Sequence, residues 1–324
     1  MKPQWSALIV VFLFTMGIFP GRGWSTDSFF SQVQTSLGIP PTLGRVTDAS
    51  LPSADSAPEF VLVQDVHHHP EVQSHISSLI LLGYRRWHVN KVFLEGAFSR
   101  VDMSIFHRVP RTTRALLLSR LVTEGNLSGA ELAAVLLTEE EWSNPPVSPF
   151  QLIGMEDPKL YEQNLAAYRD VQTLQQQGLE ELTSMRRLQN SLQLQGVPVL
   201  AEQLDRTEAL LRLKMTPSEY VVYLQNKVAV PSSPRLDPAI AAAERFYRLA
   251  QARSQIFLKE AKKKVPASSG PRILVVGGFH TALMGEELRK EGRSYVVIAP
   301  AVSESGFDSL YEKKIAESVS AIQY

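Results

Sequence analysis

The chain has 324 residues, with 33 lysines and arginines against 33 aspartates and glutamates, and it contains no cysteine. The balanced charge argues against a nucleic-acid partner, which would call for a basic patch or a high pI. The lack of cysteine excludes a disulfide framework, a thiolate metal site and a cysteine nucleophile, so any metal must be held by imidazole and carboxylate. The length is enough for one large domain or two ordinary ones with a substantial core.

Met1-Lys2-Pro3-Gln4-Trp5-Ser6 supplies one positive charge, Ala7 to Phe19 is almost unbroken apolar sequence, and Pro20-Gly21-Arg22-Gly23-Trp24-Ser25 breaks it. This run is short for a span of the hydrocarbon core, and its layout predicts a secretory signal over residues 1–25. The competing reading is an uncleaved anchor, since no clean Ala-x-Ala site follows. With no cysteine after the run, a lipoprotein is excluded. The expectation is an exported protein, periplasmic or extracellular, with no membrane contact beyond this segment. Residues 26–58 are rich in Ser, Pro, Thr and Gly and read as a flexible leader with a short helix near Phe29–Leu37. The folded domain is expected over 59–324.

Phe60-Val61-Leu62-Val63 is a strand pattern, followed by helical spacing of Val72, Ile76, Leu79, Ile80 and Gly83 that predicts a helix over 71–87. His75 in this helix and His88 beyond it are given no role. A second strand runs from Lys91 to Glu95. Residues 103–141 read as helices interrupted at Asn126-Leu127-Ser128-Gly129, with Ser128 as an N-cap, and Asn144-Pro145-Pro146 closes the block. Gln151 to Glu156 is a third strand. From Pro158 to about Val265 the chain is rich in Gln, Leu, Glu, Lys and Arg. It is broken at Gly196-Val197-Pro198 and Pro231-Ser232-Ser233-Pro234, which predicts three long helices. Arg272 to Gly277 is a fourth strand, Ala282 to Lys290 a helix, and Tyr295 to Ile298 a fifth strand, with a helical tail from Phe307. The fold class is therefore α/β. A mainly parallel sheet is expected, with helices on both faces and a large helical insert at about 158–265 between the third and fourth core strands.

Four of these strands end in chemistry. The first delivers Asp65-Val66-His67-His68-His69, the second Glu95-Gly96, the third Glu156-Asp157-Pro158, and the fourth Gly277-Gly278-Phe279-His280. In open α/β sheets ligands bind beyond the carboxyl ends of the strands, so these tips form one candidate site. If the first strand stays extended, Asp65, His67 and His69 share a face. An acid beside neutral imidazoles suits a metal, although a short histidine tract also chelates metals adventitiously. Gly277-Gly278 leaves room for backbone or a bound group, and His280 is expected at the start of the next helix. Glu95 either anchors structure or serves as ligand or general base. Glu156 beside it offers a second carboxylate for proton transfer, but Glu156-Asp157-Pro158 also reads as a helix start. There is no Gly-x-Ser-x-Gly elbow, phosphate loop, dinucleotide fingerprint or His-Glu-x-x-His helix.

The spacing of Gln64-Asp65-Val66-His67, Phe93-Leu94-Glu95-Gly96, Gly154-Met155-Glu156 and Gly277-Gly278-Phe279-His280 resembles the superfamily of Tiki proteases, TraB-like proteins, ChaN haem-binding proteins and erythromycin esterases. These short anchors lie within roughly residues 59–300. Two positions depart from the pattern: Gln64 stands where glycine is usual, and Asp65 where glutamate is usual. The resemblance implies hydrolysis of a peptide or ester bond, metal-assisted in the Tiki-like branch, or haem and iron binding in the ChaN-like branch. On the first reading His67, His280 and Asp65 (or Glu156) hold a divalent Mn, Co or Zn ion. Glu95 then activates water on a peptide or small-molecule substrate, and the helical stretch covers the cleft. On the second, His67, His68 or His69 is an axial haem ligand without turnover. A third reading leaves the tips purely structural. The sequence carries no sign of oligomeric state.

Overall fold

The computed structural model describes residues 25–137, 141, 150–191, 198–226, 231–263 and 270–302. Most of the signal-like segment, the Asn144-Pro145-Pro146 stop, the Gly196-Val197 break and the tail from Phe307 lie outside the described residues. The chain divides into two compact units, one of them formed by residues 157–254.

The first unit is built on a seven-stranded sheet in the order β1-β7-β2-β6-β3-β5-β4. The strands are β1 (Gly44–Ser50), β2 (Phe60–Asp65), β3 (Lys91–Leu94), β4 (Arg100–Val101), β5 (Gln151–Gly154), β6 (Arg272–Gly277) and β7 (Tyr295–Pro300). The five central strands are mutually parallel, and the two edges, β1 and β4, run antiparallel to their neighbours. The α/β class and the predominantly parallel sheet agree with the strand pattern of the sequence.

Both faces of the sheet are covered, which explains why the central strands are apolar without interruption. On one face Val61, Val63, Val92, Leu94, Ile273, Val275, Val296 and Ile298 form a core with Val72, Ile76 and Leu79 of α2 (Pro70–Arg86) and with α5 (Gly129–Leu136). Between those helices come α3 (Ser104–His107) and α4 (Arg111–Thr123). On the other face Phe60, Leu62, Phe93, Leu274, Val276 and Tyr295 pack with Met284 and Leu288 of the helix Gly278–Lys290 and with Phe257 and Leu258. The break at 126–129 forms as the residues predict. Ser128 caps α5 in a capping box with Glu131, satisfying two otherwise orphaned N–H groups.

Residues 26–58 are not a flexible leader. They supply α1 (Ser25–Leu37) and the edge strand β1. The Gln34 amide joins the two: its Nε2 donates to the carbonyls of Ile39 and Gly44, and its Oε1 accepts from the Val46 N–H. Composition hid β1 because an edge strand needs only a thin apolar stripe, and its register comes from β7. Asp48 accepts from the Tyr295 hydroxyl at 2.7 Å across that pairing.

Among its described residues the second unit has four helical segments where three were expected: α6 (Pro158–Ser191), α7 (Pro198–Leu211), α8 (Pro217–Gln225) and α9 (Leu236–Ala261), the last assigned to the first unit from Gln255. The helix Gly278–Lys290 is then α10. The unforeseen break lies at Leu213, which has φ +54°, and at Thr216, whose capping box with Glu219 opens α8 with Pro217 in its first turn. Thr216-Pro217-Ser218-Glu219 carries that signal in plain sequence. No helix among the described residues is long and apolar enough to cross a membrane.

The second unit gathers tyrosines. Tyr220 and Tyr247 stack at 4.6 Å, Tyr247 Oη accepts from the Met215 N–H at 2.8 Å, and Tyr223 donates to Glu244 at 2.7 Å. Burial pushes the Tyr220 phenol up to about 12 and raises Tyr223 and Tyr247 further still. A phenol raised on folding stabilises fully below its unfolded pKa of about 10, and that contribution disappears as pH climbs toward the folded value. Alkaline titration is therefore expected to release tyrosinate absorbance together with helical circular dichroism, beginning above about pH 10. Ionisation of all nine tyrosines near pH 10 with no structural change would oppose this.

Candidate functional site at the strand tips

Strand register brings the candidate residues side by side. Asp65 is opposite Gly277, while Leu94, just before Glu95, is opposite both Val275 and Gly154. The row of tips thus reads Asp65–His67, Gly277–His280, Glu95, Glu156, with neighbouring strands about 4.8 Å apart. The last motif in the sequence sits between the first two in space.

Two imidazole–carboxylate pairs result. His67 Nδ1 contacts Asp65 Oδ2, and His280 Nε2 lies 3.3 Å from Glu95 Oε1, with both members of the second pair essentially inaccessible to solvent. Glu95 Oε2 accepts the Gly277 N–H at 2.8 Å, which fixes the carboxylate across the β3–β6 boundary. His280 falls in the first turn of α10 as expected and lies 5.0 Å, ring to ring, from Phe257. Thr281 donates to the carbonyls of Gly277 and Val276 and so closes the turn on which His280 stands.

Glu156 points inward but makes a structural contact. Its Oε1 accepts the Gly96 N–H at 3.1 Å, holding a turn whose glycine has φ +79°, a conformation L side chains avoid. The helix-start role falls to its neighbour Asp157, which accepts from the Leu160 N–H at 2.9 Å. The room left by Gly278 is used by the protein itself: a Cβ there would lie 2.6 Å from Gln64 Nε2. Gln64 thereby acquires a place that its position in the motif did not reveal.

The expected extended run through His69 does not form. The strand ends at Asp65, His68 adopts φ +58°, and His69 caps α2 by accepting from the Val72 N–H. Pro70, fixed in the first turn of α2, leaves only four residues to reverse direction, so alternation cannot persist. Asp65, His67 and His69 therefore do not share a strand face. His68 Nδ1 lies 2.9 Å from the Gly125 carbonyl, and His69 is buried, so the chain engages one ring nitrogen of each histidine assigned to haem.

His67, His280 and Asp65 have the donor chemistry of a Mn, Co or Zn site. Among the described residues, however, no three His, Asp or Glu side chains are grouped as a metal shell. Asp65 is engaged from α2 and Glu95 is paired with α10, helices on opposite faces of the sheet, and each carboxylate serves a histidine.

Gln73 escaped the sequence reading. It lies among the buried residues of α2 with Ile76, Ser77 and Ile80, and a long polar residue at a buried helical position was the available signal.

Fold and tips together define an open α/β protein with imidazole–carboxylate pairs along the carboxyl edge of a parallel sheet. Set against known proteins, the chain matches no family model, no curated protein and no solved structure.

Proposed function

We propose that the protein is an exported hydrolase of peptide or ester bonds, acting at the carboxyl edge of its sheet. The observation that carries this is the pair of dyads, Asp65–His67 and Glu95–His280, on strands two apart with β6 between them. Hydrolysis needs one group to draw a proton from water and another to deliver one to the leaving group. Glu95 is assigned the first task, held by the Gly277 N–H with the His280 imidazole 3.3 Å from its other oxygen. His67, oriented by Asp65, is assigned the second, following the carboxylate–imidazole logic of catalytic triads. Glu156 supports the turn that follows Glu95.

No step in this scheme passes through a metal. A bound Mn, Co or Zn ion would polarise the scissile carbonyl and acidify water, with His67 and His280 as donors. Its place in the proposal rests on donor chemistry alone. Kinship with the Tiki, TraB, ChaN and erythromycin-esterase superfamily is part of the same proposal and rests on the four tip motifs.

The test is a screen of model peptides and esters on purified protein, alongside elemental analysis. Activity lost in Glu95→Gln supports the reading, and stoichiometric metal lost in His67→Ala and His280→Ala adds the ion. An inactive protein that develops a Soret band with haem, absent in His67→Ala, would replace this reading with haem binding.

A further inference from the structure

Gln73 is 2 % exposed on α2, where an amide costs stability unless its polar atoms are matched. Its contacts settle which end of the amide is which. The Gly129 N–H can only donate, so Oε1 meets it at 2.6 Å. The Asp65 carboxylate at 2.7 Å and the Val66 carbonyl at 3.2 Å accept, so both face Nε2. One side chain therefore ties the tip of β2 to the first residue of α5.

We infer that Gln73 is a positioning residue that sets the tautomer of His67 through Asp65, an inference that rests on the reading of Asp65–His67 as an acid–base pair. Gln73 holds Oδ1 of Asp65, which leaves Oδ2 facing His67 Nδ1. A carboxylate oxygen accepts from a ring N–H, so Nδ1 is the donor of this pair and Nε2 is the nitrogen turned away from Asp65. Nε2 is then the atom that must take up a proton before the ring can deliver one to the leaving group. The chain of command begins further back. The Ser128–Glu131 capping box fixes the first turn of α5, Gly129 N–H fixes the Gln73 amide, and the amide fixes Asp65. An apolar residue of the same length would fill the space and leave Asp65 free to rotate away from His67.

The experiment uses the full chain labelled with 15N-histidine, with His67→Ala to assign the resonances. Wild-type His67 is expected to show the Nδ1–H tautomer. In Gln73→Met, which matches length without hydrogen bonding, the Nε2–H tautomer gains population. In active enzyme kcat falls about 10- to 100-fold with KM unchanged, as for loss of a group that orients a working histidine. Gln73→Asn keeps an amide that cannot span from Asp65 to Gly129. It is expected to behave as Gln73→Met does and serves where that variant does not fold. A His67 tautomer unchanged in a folded variant overturns the inference. A tautomer that shifts in a protein without hydrolytic activity keeps the inference and removes the hydrolase reading. Activity with an unmoved tautomer does the reverse.

Discussion

Glu95→Gln is expected to lower hydrolysis by about 10²- to 10⁴-fold, the usual contribution of a positioned acid or base, while leaving the fold intact. The reasoning lies in the two oxygens of Glu95. One accepts the Gly277 N–H, and a glutamine carbonyl can still do so; the other lies 3.3 Å from His280 Nε2 and carries the charge that draws a proton. The substitution keeps volume and the cross-strand bond and removes only basicity. Unchanged circular dichroism and thermal midpoint with collapsed kcat would assign Glu95 to chemistry. Full activity would exclude it as the base. A drop in stability with proportionate loss of activity would mark it as structural. Haem uptake, by contrast, should be indifferent to Glu95→Gln.

Leu274→Ala should destabilise the first unit by about 2–5 kcal/mol, the range for a buried leucine whose cavity cannot collapse. Leu274 sits on β6, the central strand of the sheet, with no solvent exposure, and belongs to the core shared by Phe60, Leu62 and Phe257. Leu116→Ala should change stability by no more than about 0.5 kcal/mol, because Leu116 on α4 is 77 % exposed. Chemical denaturation monitored on both variants checks the pair. Equal losses would mean that α4 is packed far more tightly than its surface indicates. The contrast also tests the site, since β6 ends in Gly277 and leads into the first turn of α10, where His280 stands, and loosening it should reduce activity before global unfolding.

Much of the sheet was legible because its signals are local. Phe60–Val63, Val92–Leu94 and Ile273–Val276 are apolar runs bounded by turn residues, and each predicts a strand from a handful of positions. Ser128 reads as a cap for the same reason. The leader failed the test of locality. β1 has a mostly polar exposed side, and what makes it a strand is β7, some 250 positions away. The run from Asp65 to His69 misled for the opposite reason. Strand alternation stops at Asp65, because Pro70 and the left-handed His68 dictate a turn. Nothing in its own helix says that Gln73 meets a carboxylate, since Asp65 reaches it from the end of β2.

The sequence by itself determined that acids and histidines would end parallel strands at one edge of an α/β sheet, since strand, polar tip and helix are each encoded within a few residues. Only the tertiary structure decided that β6 lies between β2 and β3, so that Glu95 meets His280 while Asp65 turns to His67 and Gln73. Strand order depends on long crossover connections, and several orders satisfy the same hydrophobic pattern. Which carboxylate serves which imidazole is therefore settled by how the sheet is assembled.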